Sequence, residues 1–130
     1  MPVEFGWYDE ANAISYCKMW GKWTWDEFYV ARQDFRDKTQ SAALERVDLI
    51  WEVTHDAKIP ANFVSVMKSA IGSASANWNI TVVVKPSLLF KSLFGVVEKS
   101  FPYISERYPF ADTYEEAKEI ILRHRSDSTR

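Results

Sequence analysis

The sequence is poor in the residues on which most recognisable chemistry is built. It holds one cysteine, Cys17, two histidines, His55 and His124, and four glycines, at positions 6, 21, 72 and 95. A lone cysteine closes no internal disulfide, and the Cys/His spacings of metal sites are missing, so the sequence predicts neither metal nor cofactor and a reducing, cytoplasmic setting. Scattered glycines make no phosphate-cradling loop, which excludes nucleotide binding by that route. No apolar run approaches the roughly 20 residues that span a bilayer, and no charged segment followed by an apolar one opens the chain. Neither sign of charge dominates. With 16 basic and 18 acidic residues the net charge is −2, which gives no electrostatic reason to expect a nucleic-acid partner.

Aromatic side chains are abundant, at 15% of residues, so rings must carry much of the core. The 130 residues suit one domain, expected over residues 1–125 with a frayed, charged tail at 126–130. Residues 3–8 alternate weakly and end in the polar turn Asp9-Glu10-Ala11-Asn12, which predicts a hairpin with a strand over residues 13–20. Ile14, Tyr16, Lys18 and Trp20 then share one strand face, and Ser15, Cys17 and Met19 the other. At Trp20-Gly21-Lys22-Trp23-Thr24-Trp25-Asp26-Glu27-Phe28 the strand breaks and a helix starts. Thr24 and Glu27 form a capping box there, and Trp23 and Phe28 occupy the positions of a hydrophobic staple. The helix runs to about residue 39 with Trp25, Phe28, Ala31 or Arg32, and Phe35 on its inner stripe.

Residues 46–54 alternate as a strand, Val47, Leu49, Trp51 and Val53 against Asp48, Ile50, Glu52 and Thr54. Pro60 suits a first helical turn, Phe63, Val64, Met67, Ala70, Ile71 and Ala74 keep helical spacing, and Ser75-Ala76-Asn77 ends that helix. Residues 80–84 form a β-branched strand of the kind found in a covered sheet. Pro86 opens a helix in which Leu89, Phe90, Leu93, Phe94, Val96 and Val97 cover an arc of about 160°. After a break at Phe101-Pro102-Tyr103, a short strand over 108–111 leads to a second capping box, Thr113 and Glu116, and a last helix that buries Tyr114, Ala117, Ile120 and Ile121. The order is β-β-α-β-α-β-α-β-α. Strands alternating with helices predict an α/β fold with a mixed five-stranded sheet, parallel apart from the opening hairpin.

Three stretches carry a family resemblance: Gly21-Lys22-Trp23-Thr24-Trp25-Asp26-Glu27, Arg46-Val47-Asp48-Leu49-Ile50 and Phe110-Ala111-Asp112-Thr113-Tyr114-Glu115-Glu116-Ala117. In these the chain resembles the SpoIIAA-like proteins, bacterial relatives by fold of the STAS domains of anti-sigma factor antagonists and of the lipid-binding lobe of Sec14-type proteins. The resemblance implies a non-enzymatic binding or regulatory module. Phosphorylated STAS proteins carry a serine in the loop after the third strand, whereas Ala57-Lys58-Ile59-Pro60-Ala61-Asn62-Phe63 has no Ser or Thr there, so no phosphoswitch is implied.

Four groups of residues are candidates for function. His55 and Asp56 follow the central strand, where α/β sheets bind ligands, but Thr54 is the only neighbouring hydroxyl for nucleophilic chemistry. The alternatives for His55 are a hydrolytic site and a solvated loop. Asp9 and Glu10 are neighbours on a turn and point apart. In the helix 87–99, Phe90, Leu93, Phe94 and Val97 with Lys91, flanked by Lys85 and Lys99, either fill the core or meet a membrane surface or lipophilic ligand. Tyr16, Trp20 and Ile50 make an aromatic patch edged by Asp48 and Glu52, which marks a partner surface, a dimer contact or a face covered by one of the helices. Two functions follow as expectations: a module acting through protein contacts or self-association, and a lipophilic-ligand binder that associates peripherally with membranes.

Overall fold

The structure, a computed structural model, describes residues 2–41, 47–72, 78–102 and 104–128. Strands β1 (Val3–Asp9) and β2 (Ile14–Met19) form the hairpin, and α1 (Trp25–Ser41) leads to β3 (Val47–Val53). Helix α2 (Phe63–Gly72) leads to β4 (Trp78–Val84), and α3 (Leu88–Ser100) with the short α4 (Ile104–Arg107) leads to β5 (Phe110–Ala111), before α5 (Tyr114–Ser128). The α/β class and the mixed five-stranded sheet expected from the sequence are found. Helix α4 is an addition, one turn wound where only a break was expected. The expected end of α2 at Ser75-Ala76-Asn77 lies outside the described residues.

The sheet order is β1-β2-β3-β4-β5, with β1 antiparallel to β2 and every other pair parallel. Each crossover therefore steps one strand in the same direction. Right-handed crossovers taken in one direction place their helices on one face of the sheet. The packing agrees: Ala31 of α1, Phe63 and Met67 of α2, and Phe90, Phe94 and Val97 of α3 share a core with Cys17, Met19, Leu49, Trp51, Val53 and Val83. Among the described helices α5 alone covers the opposite face, where Ala117 and Ile121 meet Ile14, Ile50, Ile80, Val82, Val84 and Ala111.

Local signals explain the junctions. The hairpin turns through a short 3₁₀ segment, Glu10–Asn12, and closes at Ala13 in the left-handed region, φ 54°. Asp9 caps it, accepting from the Asn12 backbone N–H at 3.3 Å and from the Asn12 amide at 2.8 Å. Lys118 also reaches Asp9, at 2.6 Å, and together these donors hold its carboxyl down at about 2. The capping box of α1 is complete, since Glu27 N–H donates to Thr24 Oγ1 at 3.2 Å and Thr24 N–H to Glu27 Oε1 at 3.1 Å. The staple differs from expectation: the Trp25 ring stands between its two ends, 4.8 Å from Trp23 and 5.6 Å from Phe28.

Asp48 overturns its assignment to a charged edge. It is fully buried, because α5 folds back over its strand face. Its Oδ1 accepts from the Ile80 N–H at 3.0 Å and its Oδ2 from Arg125 Nε at 2.7 Å. The Arg125 guanidinium donates further to the carbonyls of Asn12 and Ala13. The two side chains together thus bind the last turns of α5 to the hairpin, β3 and β4. Helix α5 runs to Ser128.

Arg125→Ala removes the guanidinium from the buried Asp48 carboxylate, and removing one partner of a buried pair costs about 3–5 kcal/mol. Urea unfolding followed by circular dichroism is expected to show that loss, while Lys118→Ala, in the partly exposed pair with Asp9, has a much smaller effect on the midpoint. Equal effects of the two substitutions would remove Asp48 from the centre of the fold.

Candidate functional site

Helix α3 begins in an unusual segment. Lys85 adopts φ 51°, and its N–H donates to the Ala111 carbonyl at 2.8 Å, so the chain leaves β4 pinned to the end of β5. Ser87 then caps the helix by accepting from the Phe90 N–H at 3.2 Å. The turn directs two successive leucines out of the molecule: Leu88 is 82% exposed and Leu89 57%. Two turns further, Val96 is 44% exposed. Leu88, Leu89, Ser92 and Val96 fall within an arc of about 100° at the helical 100° per residue. Ser92 does little to make this stripe polar, because its hydroxyl donates back to the Leu88 carbonyl at 3.0 Å. Lys91 and Lys99, both exposed, accompany it.

The residues that sequence reasoning chose on this helix point the other way. Phe90 is 0% exposed and Phe94 4%, Val97 is buried and Leu93 half-buried, so the rings neither face a membrane nor form a gate at the surface. The Phe90 ring stacks on Phe94 at 5.5 Å and meets Trp51 at 5.3 Å and Phe63 at 5.5 Å edge to face. Phe94 also contacts Tyr108 and Phe110. Phe90, Leu93, Phe94 and Val97 fall within about 100° of the helix, and that part of the arc packs on Trp51 of the sheet, on α2 and on α4, while Leu89 and Val96, at one edge of the arc, stay outside. Of the residues proposed there, Lys91 alone is exposed.

The proposed partner surface is corrected in the same way. Ile50 is fully buried among the residues under α5, which removes it from any contact surface. Tyr16 is half-buried and donates its hydroxyl to Glu4, at 2.5 Å, a bond that pushes the phenol up to about 12. Trp20 is half-buried at the end of β2, its backbone N–H donating to the Pro2 carbonyl at 3.0 Å. On the same face Tyr114 donates to Glu52 at 2.8 Å, which satisfies the second carboxylate assigned to the patch edge.

His55 and Asp56 are both exposed on the loop after β3. The Thr54 hydroxyl, the nucleophile a His55 site would need, donates to the Asp56 carboxylate. His124 is half-buried in the last third of α5. Cys17 is buried in the core, and burial raises its thiol well above the ordinary range, the opposite of what a reactive cysteine requires. No group of three or more His, Cys, Asp or Glu among the described residues is placed to hold a metal ion. No helix among them is long and apolar enough to cross a membrane.

Against protein-family models, curated proteins and solved structures, the chain finds no match. What it does must therefore be argued from these side chains.

The placement of Phe94 has a direct test. Truncating a buried phenylalanine costs about 3–5 kcal/mol, so Phe94→Ala is expected to lower the free energy of urea unfolding by that amount. A change under about 0.5 kcal/mol, the size typical of surface substitutions, would return the ring to the surface.

Proposed function

We propose that this chain is a non-enzymatic binding module of the SpoIIAA-like class that associates peripherally with membranes through the outward side of α3. The observation that carries the proposal is the exposed pair Leu88 and Leu89, continued by Val96 on one helical stripe. Single exposed apolar residues are ordinary, but adjacent leucines at a helix start, followed by a valine in line, form a continuous apolar edge. Fully burying one leucine is worth roughly 1.5–3 kcal/mol, so a shallow insertion of this edge into the headgroup region is favourable without unfolding anything. The lysines beside it have stems long enough to lie along apolar surface while their charges stay in water.

Two further observations support the non-enzymatic half. The Thr54 hydroxyl is bonded to Asp56, and the one thiol is enclosed in the core. The SpoIIAA-like half is supported by the capping box at Thr24 and Glu27 and by the mixed sheet with its opening hairpin.

The test uses Leu88→Ser with Leu89→Ser. The double variant is expected to keep the wild-type thermal midpoint and to stop co-sedimenting with vesicles of mixed phosphatidylcholine and phosphatidylglycerol. Pelleting equal to wild type, with the fold intact, would overturn the assignment of this edge.

A further inference from the structure

The charge of the chain is nearly balanced overall and strongly unbalanced in one place. No Asp or Glu occurs between Asp56 and Glu98, although the chain has 18 of them. That stretch supplies α2, β4 and most of α3, and its only ionisable side chains are Lys58, Lys68, Lys85 and Lys91. Helices α2 and α3 pack against each other on the same face of the sheet. The gap in the sequence thus becomes an acid-free patch over α2 and the start of α3, on the face it shares with α1, whose first turn carries Asp26 and Glu27, and bounded by Glu98, by Glu106 of α4 and by Asp112 after β5. Lys58, Lys85 and Lys91 are exposed, and Lys85 and Lys91 bracket the outward leucine pair.

From this charge distribution we infer that the occupant of the α3 surface is the anionic face of a membrane. The inference rests on the membrane reading proposed above and adds the headgroup chemistry to it. A protein of net charge −2 is on the whole repelled by an anionic bilayer. It approaches productively in the orientation that turns the acid-free patch, with Lys58, Lys85 and Lys91, toward the lipid. The same orientation brings Leu88 and Leu89 to the surface first. Charge selects the membrane and the approach, and the leucines hold the contact. Attraction between exposed charges fades within a Debye length of about 8 Å at physiological salt, so the capture step is salt-sensitive while the apolar contact is not.

The experiment compares wild-type pelleting with vesicles of phosphatidylcholine alone and with vesicles containing roughly a quarter phosphatidylglycerol, at low and high salt. The inference expects binding to the anionic vesicles, loss of most of it at high salt, and little binding to the neutral ones. Lys85→Gln with Lys91→Gln is expected to weaken anionic binding tenfold or more, with the melting curve unchanged. Equal, salt-insensitive binding to both vesicles would overturn the anionic inference and leave the membrane reading standing. No pelleting with either would overturn both.

Discussion

Three crossovers of one hand, taken in one direction along the sheet, decide most of this architecture. Because β2, β3, β4 and β5 follow each other as spatial neighbours, right-handed connections put α1, α2 and α3 side by side on one face. Helix α3 therefore lies in the angle between the sheet and α2, with Tyr108 and Phe110 closing its far side. Phe90 and Phe94 fill that angle. What remains outside is the stripe of Leu88, Leu89, Ser92 and Val96, so the same topological constraint that buries the helix's aromatic side exposes its aliphatic edge.

The opposite face depends on one carboxylate. Among the described residues α5 is the helix that covers it, and a single helix laid across a sheet needs to be held at its far end as well as by its apolar stripe. Asp48 does this from the start of β3, taking the Ile80 N–H and the Arg125 guanidinium, while Arg125 reaches on to the hairpin carbonyls. Burying a carboxylate is unfavourable unless it is paired and hydrogen-bonded, and both conditions are met here. Near the other end of α5, Tyr114 to Glu52 and Lys118 to Asp9 add further ties. The two faces thus have different stabilising chemistry: aromatic packing on one, an ion pair with a strip of β-branched residues on the other.

Much of this was legible in the sequence because it depends on neighbours along the chain. The capping box at Thr24 and Glu27, the alternation in β3, the strand faces of β2 and the buried Cys17 are local patterns, and each appears where its spacing placed it. The misreadings share one cause. Periodicity reports a helix's own faces, not what presses on them, so the wide arc of α3 is open to two meanings, of which burial gives Phe90 and Phe94 the core one. Asp48 looked like an edge charge for the same reason, since its partner Arg125 lies 77 residues away. Helix α4 fell in a segment too short and too close to a proline to show any period. The absence of acids between Asp56 and Glu98 was readable all along, but it acquires meaning only when α2 and α3 are known to share a side.

The most direct measurement of the central claim is the depth of a nitroxide label on α3. Cys17 is enclosed, so a label placed through Leu89→Cys reports from that position in the folded protein. On anionic vesicles its exposure to oxygen should rise and its exposure to a water-soluble relaxer fall, while a label at Leu122→Cys, on the helix covering the opposite face, stays aqueous. A Leu89 label that remains aqueous on vesicles known to hold the protein, or a Leu122 label that enters the lipid instead, would contradict the account.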